Sequence, residues 1–351
     1  MIGAPPPAPG ALRTEDCGEC LDRGLAELKR SLAQLAAAQG GPPEPLPRGA
    51  ALLLEALGRR PAAAGDPDPL VWLAYYRIGH PQAGSESLPF PWGEIPARLA
   101  ELADRPSPAG QVVAWGDPSL YSAAEWEAIL ALFQEGGDFV ADLDAPDPET
   151  VLALRRAAGQ VRALLQRLPD GLGASLDRLL ALTILARPGP LARRAGSSFG
   201  GATAFFLRGA SVIHASPGLT FPGLLERLVH ECAHAELFVL AQDGPLCSNP
   251  DDERHPVLIR RDPRPMNGIL HSLHVTGRVC ETLDALLADG LPERADREPL
   301  LHDFRQLRTQ QEQLGRSSLE ATRRFGRLTP LGLAVCETAA RRLAGIPEAS
   351  R

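Results

Sequence analysis

Two histidines stand four residues apart, with a glutamate directly after the first, in Leu228-Val229-His230-Glu231-Cys232-Ala233-His234. On a helix, residues at i and i+4 lie one above the other, so two such imidazoles can bind a single metal ion. Glu231 falls on the adjoining side, placed to orient or deprotonate a bound water. Five of the eight histidines lie between 230 and 274. The candidates for a third ligand are His255, His271, His274 and Glu281. The extended zinc-protease pattern requires glycine at 237 and histidine at 240; Leu237 and Leu240 exclude that subclass.

A second helix is expected from about Gly268 to Ala288. At about 100° per residue, His271, His274, Arg278 and Glu281 share an arc of roughly 80°. A polar row on an otherwise apolar helix is costly to bury unless its members have partners, and a metal with an anion would supply them. Arg278 lies about 10 Å beyond His271, and helical side chains lean toward the N-terminus. Its planar fork can hold a carboxylate through two hydrogen bonds. A three-ligand metal that also binds a 2-oxo acid needs such a cation for the distal carboxylate.

The stretch from Leu228 to Glu281 resembles the HExxH-type peptide β-hydroxylases, a family of peptide-modification proteins. Three segments carry the resemblance: LVHExxH at 228–234, RxDPRP at Arg260–Pro265, and GILHSLHVTGR at Gly268–Arg278, matching GxLHxxxVxxR. The LTPLG of Leu328–Gly332 is similar to the family's last helix, and the likeness is loose over the flanking helices. The resemblance implies a mainly α fold, not a jelly roll. It implies Fe(II) with 2-oxoglutarate as cosubstrate, and hydroxylation of the β-carbon of a residue in a peptide. His230, His234 and His271 would be the iron ligands. Arg278 would hold the cosubstrate carboxylate, with Arg260 and Arg264 lining the site and Glu231 orienting water or substrate. Cys232 and Ile259 stand where the family commonly has aromatics, which bears on substrate identity. The substrate is expected to be a peptide or a small amino-acid-derived precursor, delivered freely, by a leader or on a carrier. Two other readings use the same residues. One is a zinc metallopeptidase, with Glu231 as general base and Glu281 or His271 completing the site. The other is a non-catalytic helical binding protein with a structural metal.

These residues need helices to position them. Apolar spacing predicts helices over 14–39, 49–59, 69–78, 94–104, 122–134, 148–167 and 173–186. Asp147 before Pro148 reads as a cap, and so does Ser122. A short strand is expected at 111–115. Residues 202–216 read as a small β-hairpin around Arg208-Gly209, preceding the HExxH helix. That helix should stop near Asp243, before Gly244-Pro245. A polar loop is expected from Cys247 to Asn267, and closing helices at 297–325 and 329–344. The expected organisation is a disordered Pro/Ala tail over 1–12, a helical region over 13–190 and a metal-binding catalytic region over 191–351. GGPPEPLP at 40–47 reads as a linker.

Composition narrows the alternatives. The 351 residues suffice for a large core without staples. A net charge of −7 argues against nucleic acid as the partner. The six cysteines show no paired spacing; Cys17 and Cys20 form one CxxC with no second pair, so neither disulfides nor a zinc ribbon is expected. No signal peptide or membrane span is expected, and a cytoplasmic location fits.

Overall fold

Caps and apolar periodicity set most of the helices. The computed structural model describes residues 14–37, most of 50–58, 67–79, 101, 105, 108, 110–135, 142–168, 172–258, 260–289 and 297–345. It is mainly α, with small sheets and no barrel. The expected tail at 1–12, linker at 40–47 and nearly all of the helix at 94–104 lie outside the described residues. Among the described residues the chain forms two compact units: the first lies within 19–167 and 172–227, the second within 14–18, 168 and 228–345.

In the first unit, α1 (Thr14–Ala37) and α2 (Pro69–Gly79) precede β1 (Gln111–Ala114) and α3 (Ala123–Glu135). Then come β2 (Leu143–Asp144), α4 (Pro148–Leu165), α5 (Leu172–Leu179), β3 (Leu182–Pro188) and α6 (Pro190–Arg194). The pair β4 (Gly201–Thr203) and β5 (Ala210–His214) completes the sheet. Its order is β1-β3-β5-β4, with β1, β3 and β5 parallel, β4 antiparallel to β5, and β2 antiparallel to β3.

Ser122 and Glu125 form a reciprocal capping box at the start of α3: Ser122 N donates to Glu125 at 2.7 Å, and Glu125 N donates to Ser122 Oγ at 3.4 Å. Asp147 caps α4 by accepting from Thr150 N at 2.8 Å. The hairpin turns through Gly209, whose φ of +86° suits a residue without a Cβ. Leu32, Leu73, Ile129, Phe133, Ile184 and Val212 belong to the core that this sheet and its helices enclose.

The helix read over 173–186 ends at Leu179, and Leu182–Pro188 is strand β3. LTILARP is buried on both faces over its first five residues, so it carries an unbroken apolar run in place of strand alternation. Such a run after a helix has no periodicity that tells strand from helix.

The second unit contains most of α7 (Phe221–Leu240), then β6 (Arg254–Val257), β7 (Arg260–Pro265), α8 (Met266–Asp289), α9 (Arg297–Phe325) and α10 (Pro330–Ala344). The loop expected from Cys247 to Asn267 is largely the antiparallel ribbon β6–β7, in which His255 pairs with Arg264 and Val257 with Arg260. Prolines 256, 263 and 265 argue against strands, yet a two-stranded ribbon consists only of edges, where proline is tolerated. Helices α8 and α9 are tied by Arg308, whose Nε and Nη2 donate to Asp284 at 2.8 and 3.1 Å. Arg308 Nη2 also donates to the α10 carbonyl of Leu343 at 3.0 Å. Thr329 caps α10 by accepting from Gly332 N at 3.1 Å. Among the described residues, no helix is long and apolar enough to cross a membrane.

Gly332 marks a close approach. A Cβ there would lie 1.9 Å from the carbonyl oxygen of Leu246. Backbone meets backbone, so no flexible side chain can yield. Gly332→Ala is expected to lower stability by about 1–3 kcal/mol, as overpacking does. Urea midpoints of the two proteins measure this; a shift below about 0.5 kcal/mol, the size of an ordinary surface substitution, would count against the contact.

Candidate metal centre

The two expected helices form; within the second unit α8 brings His271 to His234, and His230 stands one turn from His234 on α7. His230 and His234 sit one turn apart on α7, with ring centroids 5.0 Å apart. His271, on the second turn of α8, faces His234: the two Nδ1 atoms are 3.4 Å apart and the ring centroids 5.6 Å. Phe238, one turn beyond His234, packs on both rings, at 6.4 Å from His234 and 5.1 Å from His271. Glu231 is buried beside His230, at 3% exposure.

Burial pushes the His234 imidazole well below its usual range, and the neighbouring His230, His271 and His274 add to this. Burial, then His274, pushes His271 down to about 4. Both rings are therefore neutral at pH 7, the form that binds metals. Two ligand nitrogens at about 2.1 Å from a tetrahedral ion stand roughly 3.4 Å apart, so the His234–His271 pair has the separation of co-ligands. Among the described residues, no three His, Cys, Asp or Glu side chains are already grouped to hold an ion. Two ring nitrogens, of His234 and His271, stand at co-ligand separation, and His230 lies one turn away from His234 on the same helix.

The depressed histidines set a pH dependence. Below about 6.5 an unfolded chain takes up protons that folded His271 refuses until about 4. The metal-free protein should thus lose stability as pH falls from 6.5 toward 4, and His234 contributes in the same direction. For His271 alone the loss reaches up to roughly 3 kcal/mol, less whatever the solvent-facing edge of the ring recovers. Urea unfolding at pH 7, 5.5 and 4.5 reads it, and His271→Gln should flatten the slope. An equal slope in the variant would contradict the assignment.

The remaining candidates separate clearly. His255 stacks on Phe325, with centroids 4.4 Å apart, and lies 3.1 Å from Glu253, so it is a structural residue of the ribbon. His274 is fully buried, with Nε2 3.2 Å from Glu236 Oε2. Arg278 requires a correction. It was expected to grip the cosubstrate, but it is 2% exposed and fully engaged. Its Nε and Nη2 donate to Glu236 at 3.1 and 2.7 Å, and its Nη1 donates to Glu281 at 2.7 Å. A keto acid there would have to displace Glu236 and leave a buried carboxylate without its cation, which is strongly unfavourable.

Glu281, the peptidase reading's candidate, is likewise held between Arg278 and Arg342, whose Nε is 2.9 Å away. Arg264 stands on β7, two residues before α8, half-buried. The Arg260 side chain lies outside the described residues.

Sequence reasoning missed Glu236 and Arg342. The available signal was a lone carboxylate in the apolar run Ala235-Glu236-Leu237, a residue that must find a cation if that face is buried. No protein-family model matches the chain, and no curated protein matches it.

Proposed function

We propose that the chain is a non-haem Fe(II)/2-oxoglutarate-dependent dioxygenase. It would hydroxylate an unactivated β-carbon of an amino-acid residue in a peptide, or of a related natural-product precursor. The observation that carries this reading is His271 turned onto His234, two neutral imidazoles 3.4 Å apart from helices that both bear the family-like motifs. His230, His234 and His271 would hold the iron. When bound, Fe(II) supplies the coupling of O2 reduction and 2-oxoglutarate decarboxylation to C–H hydroxylation.

The chain's own residues bind, orient and exclude water. Phe238 covers the two facing rings and keeps solvent from that side. Glu231, buried at the residue after His230, would orient a water or the substrate. Arg264 and Arg260 stand on β7, which runs directly into α8, and would line the site on the cosubstrate's side. The first turn of α8 adds the positive end of its helix dipole, which would favour an anion there.

The zinc metallopeptidase remains the second reading, through the same three histidines, because buried Glu231 also suits a general base. Its Glu281 variant loses support, since that carboxylate is spent on two arginines. Anaerobic reconstitution with Fe(II), followed by O2 and 2-oxoglutarate, should release succinate. Uncoupled turnover without substrate suffices to detect it. No succinate with Fe(II), together with Zn(II)-dependent peptide cleavage that Glu231→Gln abolishes, would decide for the peptidase.

A further inference from the structure

His234 and Glu236 are two residues apart on α7, so their side chains leave the helix about 200° apart. Both nevertheless end on one stripe of α8: His234 meets His271, while Glu236 meets His274 and Arg278. Helix α7 is thus gripped on two flanks by a single row of side chains. Contact on one flank leaves a helix free to roll; contact on both fixes roll and axial position together. From His271 to Arg278 the row covers two turns, about 10 Å of α8.

We propose that Glu236 is the positioning residue of the histidine site: by clamping His274 and Arg278 it sets the roll of α7 against α8 that brings His234 Nδ1 onto His271 Nδ1. The proposal rests on the metal-site reading above. Glu236 is suited to the task because each of its oxygens is committed. Oε1 accepts from Arg278 Nη2, and Oε2 accepts from Arg278 Nε and His274 Nε2.

Accepting from Nε2 also fixes the His274 tautomer and therefore its ring orientation. The clamp is anchored behind by Glu281, which joins Arg278 to Arg342 of α10. Two carboxylates and two guanidiniums alternate along this line, so it closes with no net charge. A half-buried pair on α8, Asp284 with Arg308, ties α8 to α9 and does not involve α7. That pair provides a control of similar chemistry.

The test uses the full chain, with Ni(II) as an O2-inert probe, titrated by calorimetry. Glu236→Gln keeps shape and loses the charge. Glu236→Asp keeps the charge and shortens the reach, and it serves if the first variant does not fold. Each is expected to weaken Ni(II) binding about ten- to a hundredfold, the scale on which disturbed support behind a metal ligand is felt. Asp284→Asn should lower stability and leave the affinity unchanged.

A second readout needs no metal. The side-chain 15N resonances of His271 and His274 in the metal-free protein should move in the Glu236 variants and stay in place in Asp284→Asn. Folded Glu236 variants with wild-type Ni(II) affinity and unmoved His271 resonances would overturn the proposal. So would an Asp284→Asn protein that weakens the metal as much. A wild-type chain that binds no Ni(II) would end the metal reading, while the resonances would still decide for or against the clamp.

Discussion

Arg278→Met should cost about 3–5 kcal/mol of stability, the effect of stripping one partner from a buried ion pair. The guanidinium is 2% exposed and Glu236 4%, so water cannot take over the lost hydrogen bonds. Burial pushes the Glu236 carboxyl up, and Arg278 with the His274 hydrogen bond more than reverses this, holding it well below the usual carboxylate range. With Arg278 gone, the largest opposing charge is lost and burial should push the Glu236 carboxyl upward, against His274 and Arg342.

The sign of the wild-type contribution follows. A carboxylate depressed in the folded state stabilises above its unfolded value of 4.5, and that stabilisation is lost as pH falls through the folded value. In Arg278→Met this acid-sensitive component should vanish, so mutant and wild type should converge at low pH. Removing both charges in Arg278→Met/Glu236→Leu should recover much of the loss, since an apolar pair of similar volume often matches a buried ion pair. Recovery should stay incomplete, because His274 Nε2 then lacks an acceptor. Urea unfolding of the four proteins of this cycle measures the coupling directly. A single variant within about 1 kcal/mol of wild type would mean that the pair carries little.

Arg278 also shows what a sequence can and cannot specify here. The period of the helix placed His271, His274, Arg278 and Glu281 on one stripe, and the structure keeps them on one helix, α8. Which partner each member meets is a tertiary fact. The fork at Arg278 matches a carboxylate, and a carboxylate is what it holds, but the protein supplies it from Glu236. Stripe geometry alone does not distinguish a ligand's carboxylate from one on a neighbouring helix.

The helices were legible because their ends carry local chemistry. Asp147 with Pro148 and Ser122 with Glu125 cap α4 and α3 through contacts within three residues. The strands were less so, because their pairing partners are distant in sequence. β3 is held by Gln111–Ala114 on one side and Ala210–His214 on the other, and nothing within LTILARP records either neighbour. The ribbon β6–β7 hid behind its prolines, although its buried positions alternate at His255 and Val257.

His271→Ala should remove tight divalent-metal binding and leave the fold intact. A bound ion at a hundred times its dissociation constant stabilises a protein by about 2.7 kcal/mol, so wild type should unfold later when metal is added. In His271→Ala that gain should disappear, with affinity reduced at least about a hundredfold and turnover with it. Metal-free stability should hold at pH 7 and rise relative to wild type near pH 5, since a neutral imidazole held at about 4 no longer opposes protonation of the chain.

His255→Ala supplies the contrast. It removes the stack on Phe325, so it should lower stability and leave metal affinity as it was. Glu231→Gln then separates the two chemistries at the same site. A peptidase needs that carboxylate to take the proton from water, so hydrolysis should fall by two to four orders of magnitude, the usual worth of a general base. A hydroxylase asks only that the side chain orient its neighbours, so succinate release should survive in Glu231→Gln while product formation drops. Persistence of metal-dependent stabilisation in His271→Ala would remove α8 from the site and leave the His230–His234 pair without the partner on which either chemistry depends.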